Sequence, residues 1–146
     1  MISQAAEYSL RAMTCLARSP ATPLTNQQIA DRTRIPSGYL AKILQALVRA
    51  GLVSSQRGPN GGFVLTADAD QVTLLDVVRV SDPSRRIGTC PLGIHGPHLC
   101  SLHRCLDDAA AAVECVLART TVKQLLDEQE DPFAAVLCVK TEGAQP

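Results

Sequence analysis

The stretch from Leu24 to Leu65 constrains this chain most, because two helical patterns and a hairpin pattern follow one another there with little between them. Leu40, Ile43, Leu44, Leu47 and Val48 recur at i, i+3, i+4, i+7 and i+8, the spacing of one buried helix face. The opposite face carries Ser37, Gly38, Ala41, Lys42, Gln45 and Arg49. Ser37 is expected to cap this helix and Gly51 to end it as the first residue past the cap. A shorter helix precedes it. Thr25 and Gln28 have capping-box spacing, Ile29 and Ala30 face inward, and the helix stops near Thr33 because the residue before Pro36 is disfavoured in the α region. Leu52-Val53 and Phe63-Val64-Leu65 read as short strands, joined by the turn Arg57-Gly58-Pro59-Asn60-Gly61-Gly62.

Two helices separated by a tight turn, the second polar and basic on its outer face, form a helix-turn-helix, and the hairpin behind them is a wing. Such a second helix can lie in the major groove with its first residues near base edges, and small residues at Gly38 and Ala41 allow close approach. Glycines let the wing's backbone enter a narrow groove, and Arg57 suits a phosphate or the minor groove. The expected DNA-contacting set is therefore Thr25, Gln28, Ser37, Gly38, Tyr39 and Lys42 on the helix pair, with Arg57, Gly58, Asn60 and Gly61 on the wing. Charge agrees. The 146 residues carry no net charge, yet residues 1–66 hold seven basic against two acidic residues (+5) and residues 67–146 hold seven against twelve (−5). A basic half could meet phosphates.

The flanking segments are helical. Ser3 to Ser19 reads as a first helix, ended by Pro20 and Pro23. Val72 to Val80 is a short apolar helix, and Pro83 to Leu99 a loop rich in Gly, Pro, Cys and His. A long helix runs from Ser101 to Arg119, and Thr121 starts a short one around Val122, Leu125 and Leu126. Leu102, Leu106, Ala109, Ala110, Val113, Val116 and Leu117 form an apolar stripe on the long helix. It could pack on its own domain, but a homodimer contact is favoured, since two half-sites are the usual way a small reader gains affinity.

The fold class expected is mainly α with a small β-hairpin: a winged helix-turn-helix domain plus a long C-terminal dimerisation helix. Residues 1–66 would bind double-stranded operator DNA, 67–82 connect, 83–100 form a sensor loop, 101–130 dimerise and 131–146 form a tail, frayed from Thr141. Hydrophobic residues make up 46% and aromatics 3%, so the core is aliphatic. No run of 18 apolar residues exists and the N-terminus does not read as a signal peptide, so no membrane association and a cytoplasmic location are expected. Disulfides are rare there, so the six cysteines need another role. Cys15, Cys115 and Cys138 fall among apolar residues and read as small core residues.

Ile35-Pro36-Ser37-Gly38-Tyr39-Leu40, Gly51-Leu52-Val53 and the run from Arg57 to Leu65 resemble the bacterial winged-helix regulators typified by IscR, NsrR and RirA. Glu7-Tyr8-Ser9-Leu10-Arg11 and Thr120-Thr121-Val122 also look like positions of that family. The resemblance spans nearly the whole chain and implies an operator-binding homodimer, in many members controlled by an iron–sulfur cluster. It also implies where ligands would lie. Cys90 matches the first of three cysteines common in the family and Cys100 the third, at the start of the long helix; the middle one is absent. His95, His98, His103 or Cys105 could replace it. Cys100 and His103 share a helix face, whereas Cys105 lies about 140° around from Cys100. Glu7 stands where some members supply an acidic ligand from the partner subunit.

The expected metal-ligand set is thus Cys90, Cys100, Cys105, His103 and Glu7, holding a 2Fe–2S or 4Fe–4S cluster. A cluster-free regulator in which Cys90 and Cys100 or Cys105 form a disulfide is the alternative. A zinc-dependent enzyme would need an open metal position, yet the sequence has no HExxH helix, phosphate loop or nucleophile–base pair, so no enzyme is expected. A helical module that had lost DNA binding should show a degraded wing, and this wing is intact.

Overall fold

The computed structural model describes residues 2–83, 86–94 and 96–127. Its elements run α1 (Gln4–Ala17), α2 (Asn26–Thr33), α3 (Ser37–Arg49), β1 (Val53–Gln56), β2 (Gly62–Leu65), α4 (Leu74–Ser81), α5 (Ser101–Arg119) and α6 (Gln124–Asp127). Mainly α with one antiparallel hairpin is therefore the observed class. The tail from 131, with Cys138 and Thr141, lies outside the described residues, as does His95.

Local chemistry explains most boundaries. Thr25 caps α2 through the full capping box with Gln28, and Thr73 and Asp76 repeat the device on α4, each satisfying two otherwise orphaned N–H groups. α3 ends at Gly51, whose φ of 76° is left-handed. Its N–H reaches Val48 O at 3.0 Å and the Leu52 N–H reaches Leu47 O at 3.1 Å, the paired bonds of a Schellman end. Ser37 departs from expectation. It is the first residue inside α3, and Pro36 holds the cap position with no side-chain cap bond. Pro36 already has a suitable φ of −55°, and its carbonyl accepts from Tyr39 and Leu40 at 3.0 and 2.9 Å, so the helix starts one residue early. The turn between α2 and α3 passes through Arg34 at φ 56°, a left-handed residue that is not glycine.

α1, α2, α3 and α4 enclose the core. Met13, Ile29, Leu40, Leu44, Leu47 and Val77 are fully buried, and α3 contributes its predicted apolar face except Val48, which is half-buried. β1 and β2 pair with Val53 opposite Leu65 and Gln56 opposite Gly62. A bridge between Leu24 and Phe63 ties the hairpin to the segment before α2. A Cβ on Gly62 would stand 2.6 Å from the Leu24 carbonyl, and one on Gly61 would stand 2.4 Å from Gln56 O. These two glycines let the wing close on itself and dock on the helix pair.

α5 is built differently. Asp107 is its one buried residue. Leu102, Leu106 and Val116 of the expected stripe are 64%, 50% and 56% exposed, and the helix end near Ala110, Val113 and Leu117 borders an apolar groove of about 470 Å³ against α4.

Candidate functional site

The helix-turn-helix presents the expected reader face to solvent. Ser37, Gly38, Tyr39, Lys42, Gln45 and Arg49 are exposed, as are Arg57, Gly58, Pro59 and Asn60 on the wing. Thr25 and Gln28 are exposed too and bond each other: Thr25 Oγ1 accepts from the Gln28 N–H at 3.2 Å and the Thr25 N–H donates to Gln28 Oε1 at 2.9 Å. Asn26 Nδ2 donates to Ser37 O at 3.1 Å, which ties the first residue of α2 to the first of α3. Gly61 is half-buried inside the turn.

One contact across this face was not legible in the sequence. Tyr39 meets Tyr8 of α1 edge-on, centroids 5.5 Å apart at 80°. Tyr8 Oη accepts from Gln4 at 3.1 Å, and the Arg11 guanidinium lies 5.7 Å above the Tyr8 ring. Arg11 also pairs with Glu7 one turn back. Within one chain, then, Glu7 is exposed and bound to Arg11, and it does not join the group of ligand atoms at the cysteine loop.

The loop brings together three of the expected ligands. Cys90 Sγ, Cys100 Sγ and a ring nitrogen of His103 all lie within 4.8 Å of one another. His103 Nδ1 is 3.1 Å from Cys100 Sγ and 3.6 Å from Cys90 Sγ. Cys100 sits at the N-cap of α5 and His103 one turn on, as their shared face predicts. Backbone N–H of His103 lowers the Cys100 thiol below its ordinary value, against the opposing effect of burial; a thiol at a helix N-terminus is favoured as thiolate. Cys90 is buried and closes a turn in which the Gly93 N–H donates to its carbonyl at 3.0 Å.

Cys105 is exposed and stands apart from the triad, as its angle around α5 requires, and His98 is exposed as well. Of the remaining cysteines, Cys15 is buried in the core, where desolvation raises its pKa. Cys115 corrects the reading from neighbours: it is exposed, because the α5 face it occupies has no covering element among the described residues.

The donor set has metal-binding chemistry. Two sulfurs and an imidazole suit iron, zinc or an iron–sulfur cluster, in which histidine can replace cysteine on one iron. The 3.1 and 3.6 Å separations compare with edges of about 3.5 Å in a tetrahedron of ~2.0–2.3 Å bonds. The triad supplies three ligands, so a four-ligand centre needs one more donor.

Residues 2–128 match the family described as Rrf2, iron-dependent transcriptional regulator. The chain is 33% identical to the regulator NsrR of Shouchella clausii over 92% of its own length and 93% of that protein's. It is 30% identical to the regulator IscR of Photorhabdus laumondii over 84% and 77%. It also superimposes on CymR, the global cysteine regulator of B. subtilis, with a TM-score of 0.73 and 29% identity, covering 87% of this chain and 96% of that one. No helix among the described residues is long and apolar enough to cross a membrane.

Proposed function

This chain belongs to the Rrf2 family of transcriptional regulators, and from that premise we propose that it is a homodimeric repressor whose operator affinity follows the state of the Cys90–Cys100–His103 site. The observation that carries the reading is the convergence of two thiols and an imidazole, one thiol from the loop and the other two groups from the start of α5, in a winged-helix chain. The relatives named NsrR and IscR favour an iron–sulfur cluster as the occupant. Cys90, Cys100 and His103 would hold it, with Cys105, His98, His95 or Glu7 of the partner subunit as sources of a further ligand. When bound, such a group supplies a one-electron or ligand-loss response to oxidants, nitric oxide or iron shortage.

The reading assigns α3 to the major groove, with Ser37, Gly38, Tyr39 and Lys42 nearest the bases and Thr25 and Gln28 flanking the backbone. Arg57, Gly58, Asn60 and Gly61 belong to the minor groove or its phosphates. Residues 1–66 read DNA and residues 101–130 dimerise. The exposed Leu102, Leu106 and Val116 support the dimer, since a monomer would leave that stripe in water. No catalytic step is involved, and the site of action is the cytoplasm, where operators lie.

A second reading rests on the same sulfurs. With Cys90 and Cys100 both against His103 and the Cys100 thiol lowered, an oxidant could take two electrons as the two thiols lose their protons and join in a disulfide. Anaerobic purification separates the two. A coloured, iron-containing protein whose operator affinity changes on bleaching supports the cluster. A colourless protein whose DNA binding responds only to thiol oxidants supports the disulfide. Absence of operator binding in every state would overturn both.

A further inference from the structure

α5, otherwise without a buried residue, contains one anomaly, a buried carboxylate. Asp107 accepts from Arg86 Nε and Nη2, each at 2.7 Å, one on each carboxylate oxygen, and from the Ile87 N–H at 2.8 Å. It is the single buried residue of a 19-residue helix. A bidentate arginine pair with an added backbone donor is the strongest kind of polar clasp and fixes both partners in orientation. An apolar residue could be buried here at lower desolvation cost, so what such a clasp contributes is register.

The register bears on the sensor loop. Cys100, His103 and Asp107 are spaced i, i+3, i+7, and so lie along one face of α5. Asp107 stands about 10 Å along the helix axis from Cys100 at ~1.5 Å per residue. The loop runs from Ile87, held at Asp107, to Cys90, held at His103 and Cys100. The three residues from Ile87 to Cys90 bend at Thr89 and reach at most about 10 Å at ~3.3 Å each. Anchoring Ile87 at Asp107 leaves Cys90 a tether of only three residues, which confines it near the other two donors.

We propose that Asp107 is the positioning residue of the regulatory site: through Arg86 and the Ile87 N–H it sets Cys90 against Cys100 and His103. The inference rests on those three residues being the site that controls the protein. Asp107 touches none of the three donors; it acts through the segment by which the chain enters the loop.

The test uses the reduced full-length chain under anaerobic conditions with cobalt(II) as probe. Thiolate-to-cobalt charge-transfer absorption reports how many thiolates bind. Asp107→Asn, which keeps the shape but loses the charge-assisted fork, should weaken cobalt binding about tenfold or more, the usual range for a residue supporting a ligand. It should also reduce the absorption toward that of one thiolate, with helical content unchanged. Arg86→Gln, on the half-exposed partner, should do the same without threatening the fold, and the double variant should be no worse than either single one. Wild-type affinity and full absorption in both variants would overturn the proposal. Should the wild type itself take up no cobalt through thiolates, the metal reading of the site fails, and the positioning claim is still decided by peptide-resolved alkylation. Faster labelling of Cys90 in Asp107→Asn by about tenfold supports it, and an unchanged rate sinks it.

Discussion

The two halves of this molecule are held together by different forces. The winged helix is organised by burial: α1 to α4 share one aliphatic core, and the capping boxes and the Schellman end finish elements whose inner faces are already covered. The second half has almost no core of its own. α5 buries one residue, a carboxylate, and its loop is placed by an ion pair, a backbone bond and a cluster of sulfur and imidazole. Burial is non-directional and tolerant, so it suits a platform that must simply persist. Polar contacts are directional and depend on protonation, oxidation and ligands, so they suit a part whose arrangement is meant to change.

That contrast can be broken at several points. The largest effect is expected in the core. Leu44→Ala removes a fully buried side chain of α3 and should lower unfolding stability by about 2–5 kcal/mol in denaturant titrations. A loss under 1 kcal/mol would mean the winged helix is not governed by burial.

On α5 the same kind of residue should behave oppositely. Val116→Asp, at a 56% exposed position, should leave the stability of the folded subunit within about 0.5 kcal/mol. It should instead raise the dimer dissociation constant by roughly a hundredfold in sedimentation measurements, about 2.7 kcal/mol. An unchanged dimer would place the contact elsewhere.

The reader surface should divide in turn. Lys42→Ala should change which operator bases are preferred, costing about 1–3 kcal/mol at its own position if it reaches a base edge. Arg57→Ala should weaken binding alike on all sequences and reduce the salt slope by about 1. Equal effects of both on specific and random DNA would deny α3 its reading role.

The smallest effect belongs to pH. The Arg86 fork, then the Ile87 N–H, pull the Asp107 carboxyl down from 3.8 to about 2. A carboxylate depressed on folding adds stability above its unfolded value and loses it as pH falls through the folded one. The stability gap between wild type and Asp107→Asn should therefore be constant above about pH 5 and close between roughly pH 4 and pH 2. A gap that persists at pH 2 would mean the clasp does not depend on charge.

Much of the winged helix is legible in the sequence, because its signals are short-range. The Thr25–Gln28 box, the left-handed Gly51 and the apolar period of α3 each act within a few residues. Ser37 is not the cap because of a competitor equally local: Pro36 supplies the starting φ itself. Along α5, periodicity located the helix and the Cys100–His103 face, since helical geometry fixes both. It could not show that Cys115 would lie in water, because a helix face carries no mark of whether anything covers it.

The sequence by itself determined which segments are helix or hairpin, where basic residues collect and which residue types could hold a metal, because those follow from side-chain chemistry and backbone periodicity. Only the tertiary structure decided that His103 rather than Cys105 joins Cys90 and Cys100, that Tyr8 braces Tyr39, and that Asp107 captures Arg86. These pairs meet across loops whose path is set by packing and long-range hydrogen bonds, and no spacing along the chain encodes a distance through space.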